Sequence, residues 1–191
     1  MPCITFRIMP LKTFVKVGSI TNLSDARYCA GMGADMLGFN AIEGKDHYLS
    51  PKQFQEIRGW VTGPLVVAEV SGLQSADQLK TIIENYQPDY LELGLAELAF
   101  VEGISIPFIL RLDKESIDIK LPNKPAYILA PAFLSDAASP LLIEVSSLAE
   151  AEQALQHSTI KGIALRGSAE ISPGLKTYDE LAEVLELLDA D

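Results

Sequence analysis

The chain has 191 residues, enough for one sizeable core and too few for two ordinary domains. Apolar types make up 48% and charged types 21%, the balance of a soluble globular protein rather than a disordered one. Lys and Arg number 15 against 26 Asp and Glu, a net charge of −11. That charge argues against nucleic-acid and anionic-membrane surfaces, since no basic surplus exists to neutralise phosphates. Any phosphate bound would be small and held locally. Two cysteines, Cys3 and Cys29, cannot build a disulfide framework, and two histidines without a Cys cluster give no structural zinc site. No metal and no cofactor is expected. Residues 1–11 read as an N-terminal extension of one domain spanning 1–191, without the features of a signal peptide. No apolar run reaches membrane-span length, so a reducing cytoplasm is the expected home.

Along the chain, short apolar runs at 13–17, 35–40, 64–71, 90–94, 107–112, 126–130, 140–146 and 162–167 read as strands. Several are Val, Ile and Leu throughout, as parallel strands covered on both faces are. Between them, Ser50-Pro51-Lys52-Gln53, Ser75-Ala76-Asp77-Gln78, Ser147-Leu148-Ala149-Glu150 and Thr177-Tyr178-Asp179-Glu180 each spell a helix capping box. Strand–loop–helix repetition of this kind points to an α/β protein, a single-domain (β/α)8 TIM barrel. The length falls below the roughly 200–250 residues usual for that fold. The shortfall lies between 112 and 126, where Pro122 and Pro125 interrupt any helical face, and between 130 and 140. Helices five and six are expected to be shortened or missing, baring apolar wall that a second copy would cover. Monomer and homodimer both stay open. A doubly wound open sheet is the alternative, although its usual glycine-rich loop after the first strand is lacking.

Six strands carry one ionisable residue near the C-terminal end, flanked by apolar neighbours: Lys16, Glu69, Glu92, Arg111, Glu144 and Arg166. The period of two sends such residues inward in a barrel, toward the mouth where active sites of the fold lie. Three bases balance three acids. A lone buried charge is prohibitive while a paired set is tolerable, so a neutralised cluster is expected. The preferred reading is a space-filling ion network; the other is an altered site doing proton chemistry through Lys16 or a glutamate. His47 lies within reach of a mouth ligand, though a loop histidine without partners is usually a solvated side chain. Ser146 and Ser147, at a helix N-terminus, could donate to a small anion, with Ser147 equally explained as an N-cap. Arg166, Gly167 and Ser168 form the other half of the fold's common phosphate site. Cys29 and Trp60 are read as packing residues.

One resemblance organises these features. Lys16-Val17-Gly18-Ser19-Ile20-Thr21-Asn22 with Asp25-Ala26 resembles the K-I-C-G-I-T-N-x-x-D-A opening of the phosphoribosylanthranilate isomerase family. Gly33-Ala34-Asp35 with Gly38-Phe39 is similar to that family's G-A-D-x-x-G-F, and Tyr48-Leu49-Ser50-Pro51 to the end of its S-P-R-Y-x-S-P. The segment from Asp89 to Glu97, and Glu170 with Pro173-Gly174-Leu175-Lys176, continue the likeness in order. The resemblance implies a (β/α) barrel isomerase of tryptophan biosynthesis with a small phosphorylated ligand. It also implies a general base at position 18 and a general acid at position 130. Gly18 and Ala130 stand there, His47 replaces the family's arginine, and Ser146-Ser147 replace a glycine pair. The reaction needs one group to take a C2 proton and another to protonate the ring oxygen. Weak or lost isomerase activity is therefore expected, with a non-catalytic anion-binding or regulatory barrel, or an enzyme of altered chemistry, as alternatives.

Overall fold

A computed structural model describes residues 11–113, 124–134, 139–167, 170–172, 175–176 and 179–189. Eight parallel strands close into a barrel in sequence order. They are β1 (Phe14–Gly18), β2 (Met36–Asn40), β3 (Leu65–Glu69), β4 (Tyr90–Leu93), β5 (Phe108–Arg111), β6 (Tyr127–Ala130), β7 (Leu141–Glu144) and β8 (Ile160–Arg166). β1 completes the ring against β8, with Val15 beside Ile163 and Gly18 beside Arg166. No edge remains in this sheet, which sets the open-sheet alternative aside. Each expected strand run overlaps one observed strand; β1 runs one residue past its run, to Gly18, and β8 starts two residues before its run, at Ile160.

Alternation along these strands separates two apolar layers. Met36, Val67, Ile109, Leu129, Leu142 and Ala164 cluster inside the barrel, with Phe14, Tyr90 and Tyr127 packed against them. Their neighbours Val15, Val17, Leu37, Phe39, Ala68, Leu91, Leu110, Ile128 and Ile163 join the outer layer with the helices. Aspartates fix the N-terminal ends of the strands. Asp35 Oδ2 accepts from Val15 N, and Asp89 Oδ2 from Val66 N, each at 2.7 Å.

The helices are α1 (Leu23–Gly31), α2 (Pro51–Arg58), α3 (Ala76–Tyr86), α4 (Leu148–Leu155) and α5 (Asp179–Leu188). Of the expected capping boxes, Ser50 closes both ways, its Oγ accepting from Gln53 N while Gln53 Oε1 accepts from Ser50 N. Ser75 and Ser147 cap their helices, but the returning side chain bonds one residue earlier. Gln78 accepts from Gln74 N, and Glu150 from Ser146 N. Thr177 lies outside the described residues, as do Cys3, Pro122, Ser168, Pro173 and Gly174. A short antiparallel pair, β9 (Glu170–Ser172) with β10 (Leu175–Lys176), precedes α5.

The expected shortening of helices five and six falls largely on 114–123 and 135–138, which lie outside the described residues; the described residues that flank them hold no helix. The fourth connection carries a 3-10 helix at Leu95–Val101 in place of an α-helix. Glu97 is drawn back to accept from Gly72 N and Gly94 N, and Gly103 (φ 79°) turns the chain toward Pro107. The expected bare wall is corrected. Leu110, Ile128, Ala130 and Ile143, on the outer face of β5–β7, are all buried by the chain itself. No second copy is needed to cover them.

Candidate functional site

The C-terminal mouth of the barrel holds all six expected charges in one alternating chain. Glu69 Oε1 lies 2.9 Å from Lys16 Nζ, and Lys16 Nζ lies 2.7 Å from Glu92 Oε2. Glu92 Oε1 accepts from Arg111 Nε at 2.9 Å, and Arg111 Nη1 reaches Glu144 Oε2 at 3.0 Å. Glu144 Oε1 accepts from Arg166 Nε at 2.8 Å. The order is acid, base, acid, base, acid, base. Every interior member touches two partners of opposite sign, which is the condition under which buried ions are tolerated. The Lys16–Glu92 contact lacks hydrogen-bond alignment at Oε2, so charge rather than direction holds it.

From Lys16 outward to Arg166 depth grades along the ladder. Side-chain exposure is 1% at Lys16, 3% at Glu92, 23% at Arg111 and Glu144, and 61% at Arg166. Arg166 thus sits at the rim, not on the axis. Burial pushes the Glu92 carboxyl up, but Lys16 and Arg111 outweigh it and hold it down at about 2. Burial works against the Lys16 ammonium too, and the two glutamates overcome it, raising its pKa above the ordinary lysine value. Glu144 is likewise lowered, burial being outweighed by Arg111 and Arg166. At neutral pH the Lys16 ammonium and the Glu92 and Glu144 carboxylates are therefore fixed in their charged forms.

Glycine makes room for the inner end. A Cβ on Gly18 would stand 2.4 Å from Glu69 Oε1 and 2.8 Å from Lys16 Nζ. One on Gly38 would stand 2.2 Å from the same oxygen. Ser19, with φ 56°, donates its backbone N–H at 3.2 Å to both oxygens of Glu69. Sequence reasoning missed Gly38 and Ser19. Gly38 does carry a signal, since it occupies an inward position on β2, but nothing in the sequence announces the backbone angle of Ser19.

The other expected residues do not join the ladder. His47 is exposed in a left-handed turn (φ 60°). Ser147 is the N-cap of α4, and Ser146 N and Oγ donate at 2.7 and 2.9 Å to Glu150 Oε2, so an internal carboxylate already answers them. Gly167 N donates to Gly18 O at 2.7 Å, a barrel-closing bond. Ala130 needs correcting as the acid's counterpart: it packs in the outer layer, while Leu129 faces inward. The next position of inward parity is Pro131, and neither residue has a carboxyl. Cys29 is a buried residue of α1, its thiol pushed up to about 12 by burial and by Asp25. Among the described residues no group of three or more His, Cys, Asp or Glu is placed to hold a metal ion. Nor is any helix there long and apolar enough to cross a membrane.

No protein-family model matches the chain. It is 22% identical to an N-(5'-phosphoribosyl)anthranilate isomerase of Xylella fastidiosa, over 94% of this chain and 93% of the relative. A phosphoribosyl anthranilate isomerase solved with reduced 1-(o-carboxyphenylamino)-1-deoxyribulose 5-phosphate superposes with a TM-score of 0.72 at 16% identity. That match covers 91% of this chain and 97% of the other. A structure of mutually generated monomers of the dimeric phosphoribosylanthranilate isomerase from Thermotoga maritima gives 0.70, also at 16% identity and with the same coverage.

Proposed function

The chain belongs to the phosphoribosylanthranilate isomerase family, and from that premise we propose that its isomerase activity is weak or lost. The barrel keeps the family frame and gives its reacting end to a neutral ion ladder. One observation carries this reading: the Glu69 carboxylate lies 2.4 Å from where a side chain at position 18 would begin. A side chain there requires the Glu69 carboxylate and the Lys16 ammonium to shift from the positions they share. Gly18 supplies no base, and Ala130 supplies no acid and faces away from the axis. Proton abstraction at C2 and protonation of the ring oxygen thus both lack their agent.

New proton chemistry through the ladder is disfavoured by the same geometry. Lys16 is held as an ammonium and Glu92 as a carboxylate near pKa 2, so neither exchanges protons readily at neutral pH. What the mouth does offer is Arg166, exposed at the rim with Glu144 on its Nε. That supports a second reading, a cytoplasmic barrel that binds a small phosphorylated ligand without turning it over. The low cysteine use accords with that compartment.

Complementation decides the first reading. Expressed in a tryptophan auxotroph lacking this isomerase, with soluble protein verified, the gene is expected to give no growth without tryptophan. Robust growth would overturn the loss of activity. Thermal-shift titration with ribose 5-phosphate tests the second: a ligand at ~100 times its Kd adds about 2.7 kcal/mol of stability, and no shift at saturating concentration refutes it.

A further inference from the structure

The inner end of the ladder is built as a ligand site is built. β1 supplies Lys16 Nζ, 2.9 Å from Glu69 Oε1, and Ser19, the residue after β1, supplies its backbone N–H, 3.2 Å from each carboxylate oxygen. Ser19 Oγ lies 3.5 Å from Oε2. Holding a serine at φ 56° costs free energy, and such strain persists where the surroundings demand it. Here it delivers the N–H to the carboxylate. β1 and β2 are bare where that carboxylate rests, since a Cβ at Gly18 or Gly38 would come within 2.4 Å or 2.2 Å of Oε1. A cationic donor, a backbone donor and two bare strands surround one anionic group. A space-filling ion pair needs the ammonium alone.

We infer that the space bounded by Lys16, Gly18, Ser19 and Gly38 is a cradle for a small monocarboxylate, occupied in this protein by Glu69 as its own ligand. Two methylenes tether the carboxylate to β3, so it acts at high effective concentration and a free acid competes poorly. Glu69 is 12% exposed and Lys16 1%, so the space it fills opens toward solvent while the ammonium stays covered. Truncating Glu69 to alanine removes one methylene and one carboxylate, the size of acetate. Benzoate carries a ring where acetate carries a methyl, and so exceeds the volume that the truncation removes. The inference does not depend on the loss of isomerase activity, which complementation tests separately.

The test compares thermal unfolding of wild type, Glu69→Ala and Lys16→Met/Glu69→Ala at pH 7 in sodium acetate, sodium benzoate and sodium chloride of equal ionic strength. In Glu69→Ala the melting temperature is expected to rise saturably with acetate and not with benzoate or chloride. Wild type, its cradle filled, should respond equally to the three salts. The double variant keeps the charge balance but has lost the ammonium, and it too should show no acetate-specific shift. Where Glu69→Ala does not refold in chloride, the soluble fraction recovered on dilution from urea into acetate is read instead. Equal effects of acetate and chloride on Glu69→Ala, or an equal acetate shift in the double variant, would overturn the cradle.

Discussion

The two ends of the barrel axis are built on the same alternation and filled by opposite chemistry. At the N-terminal foot Phe14 stacks on Tyr127 with centroids 5.5 Å apart, and Tyr90 leans on the same ring at 5.9 Å. At the C-terminal mouth the same strands present Lys16, Glu92 and their partners in a chain of ions. Apolar packing at the foot is non-directional, and each contact contributes nearly on its own. The ladder is collective, because each charge is tolerable only while its neighbours remain. The inner part of the mouth is therefore a second, polar core.

Removing a central member of the ladder should break that contrast most severely. Glu92→Gln leaves three bases sharing two acids, and breaking a buried network in this way costs about 3–5 kcal/mol. Tyr127→Phe removes a single hydroxyl from the foot and should cost about 1 kcal/mol. Urea unfolding of both variants checks the difference. Equal losses would mean that the mouth is solvated and the ladder ornamental.

Acid sharpens the same comparison without mutation. The folded pKa of Glu92, about 2, lies below its ordinary value near 4.5. Its contribution is thus complete above the ordinary value and is lost as pH falls from there toward 2. Lys16 works in the other direction: its raised pKa gives stability that is full below about 10.5 and declines at higher pH. These two groups leave stability level between the limits, the Cys29 thiol lowers it with rising pH above its ordinary value near 9, and wild type should fall steeply in acid. Glu92→Gln, monitored by unfolding at pH 3 and pH 7, should show a shallower acid slope. An unchanged slope would assign the acid sensitivity to other carboxylates.

Much of this arrangement was legible because a strand's alternation is strict. One charge among apolar neighbours near a strand's end faces the axis, and the balance of signs implied pairing among Lys16, Glu69, Glu92, Arg111, Glu144 and Arg166. Alternation gives the face and not the depth, so it could not tell rim-bound Arg166 from buried Lys16. A motif match is weaker still, because a one-residue offset reverses the face. Ala130 is such a case, chosen by likeness and found in the outer layer. Gly38 was passed over because an absent side chain has no pattern, although its emptiness holds the Glu69 carboxylate. The apolar wall of β5–β7 was misjudged for another reason: helices were assumed to be its only cover.

The smallest expected effect lies at the outer end. Among the described residues Arg166 has one partner, Glu144, and it is largely in solvent. Glu144 keeps two contacts from Arg111 Nη1 when Arg166 is gone, so no acid is orphaned. Exposed ion pairs are worth about 0–1 kcal/mol, and Arg166→Ala should fall in that range by urea unfolding. It should also weaken as salt rises, since the rim pair is screened while the buried members are not. A loss as large as that of Glu92→Gln would place Arg166 inside the collective network and move the boundary of the polar core out to the rim.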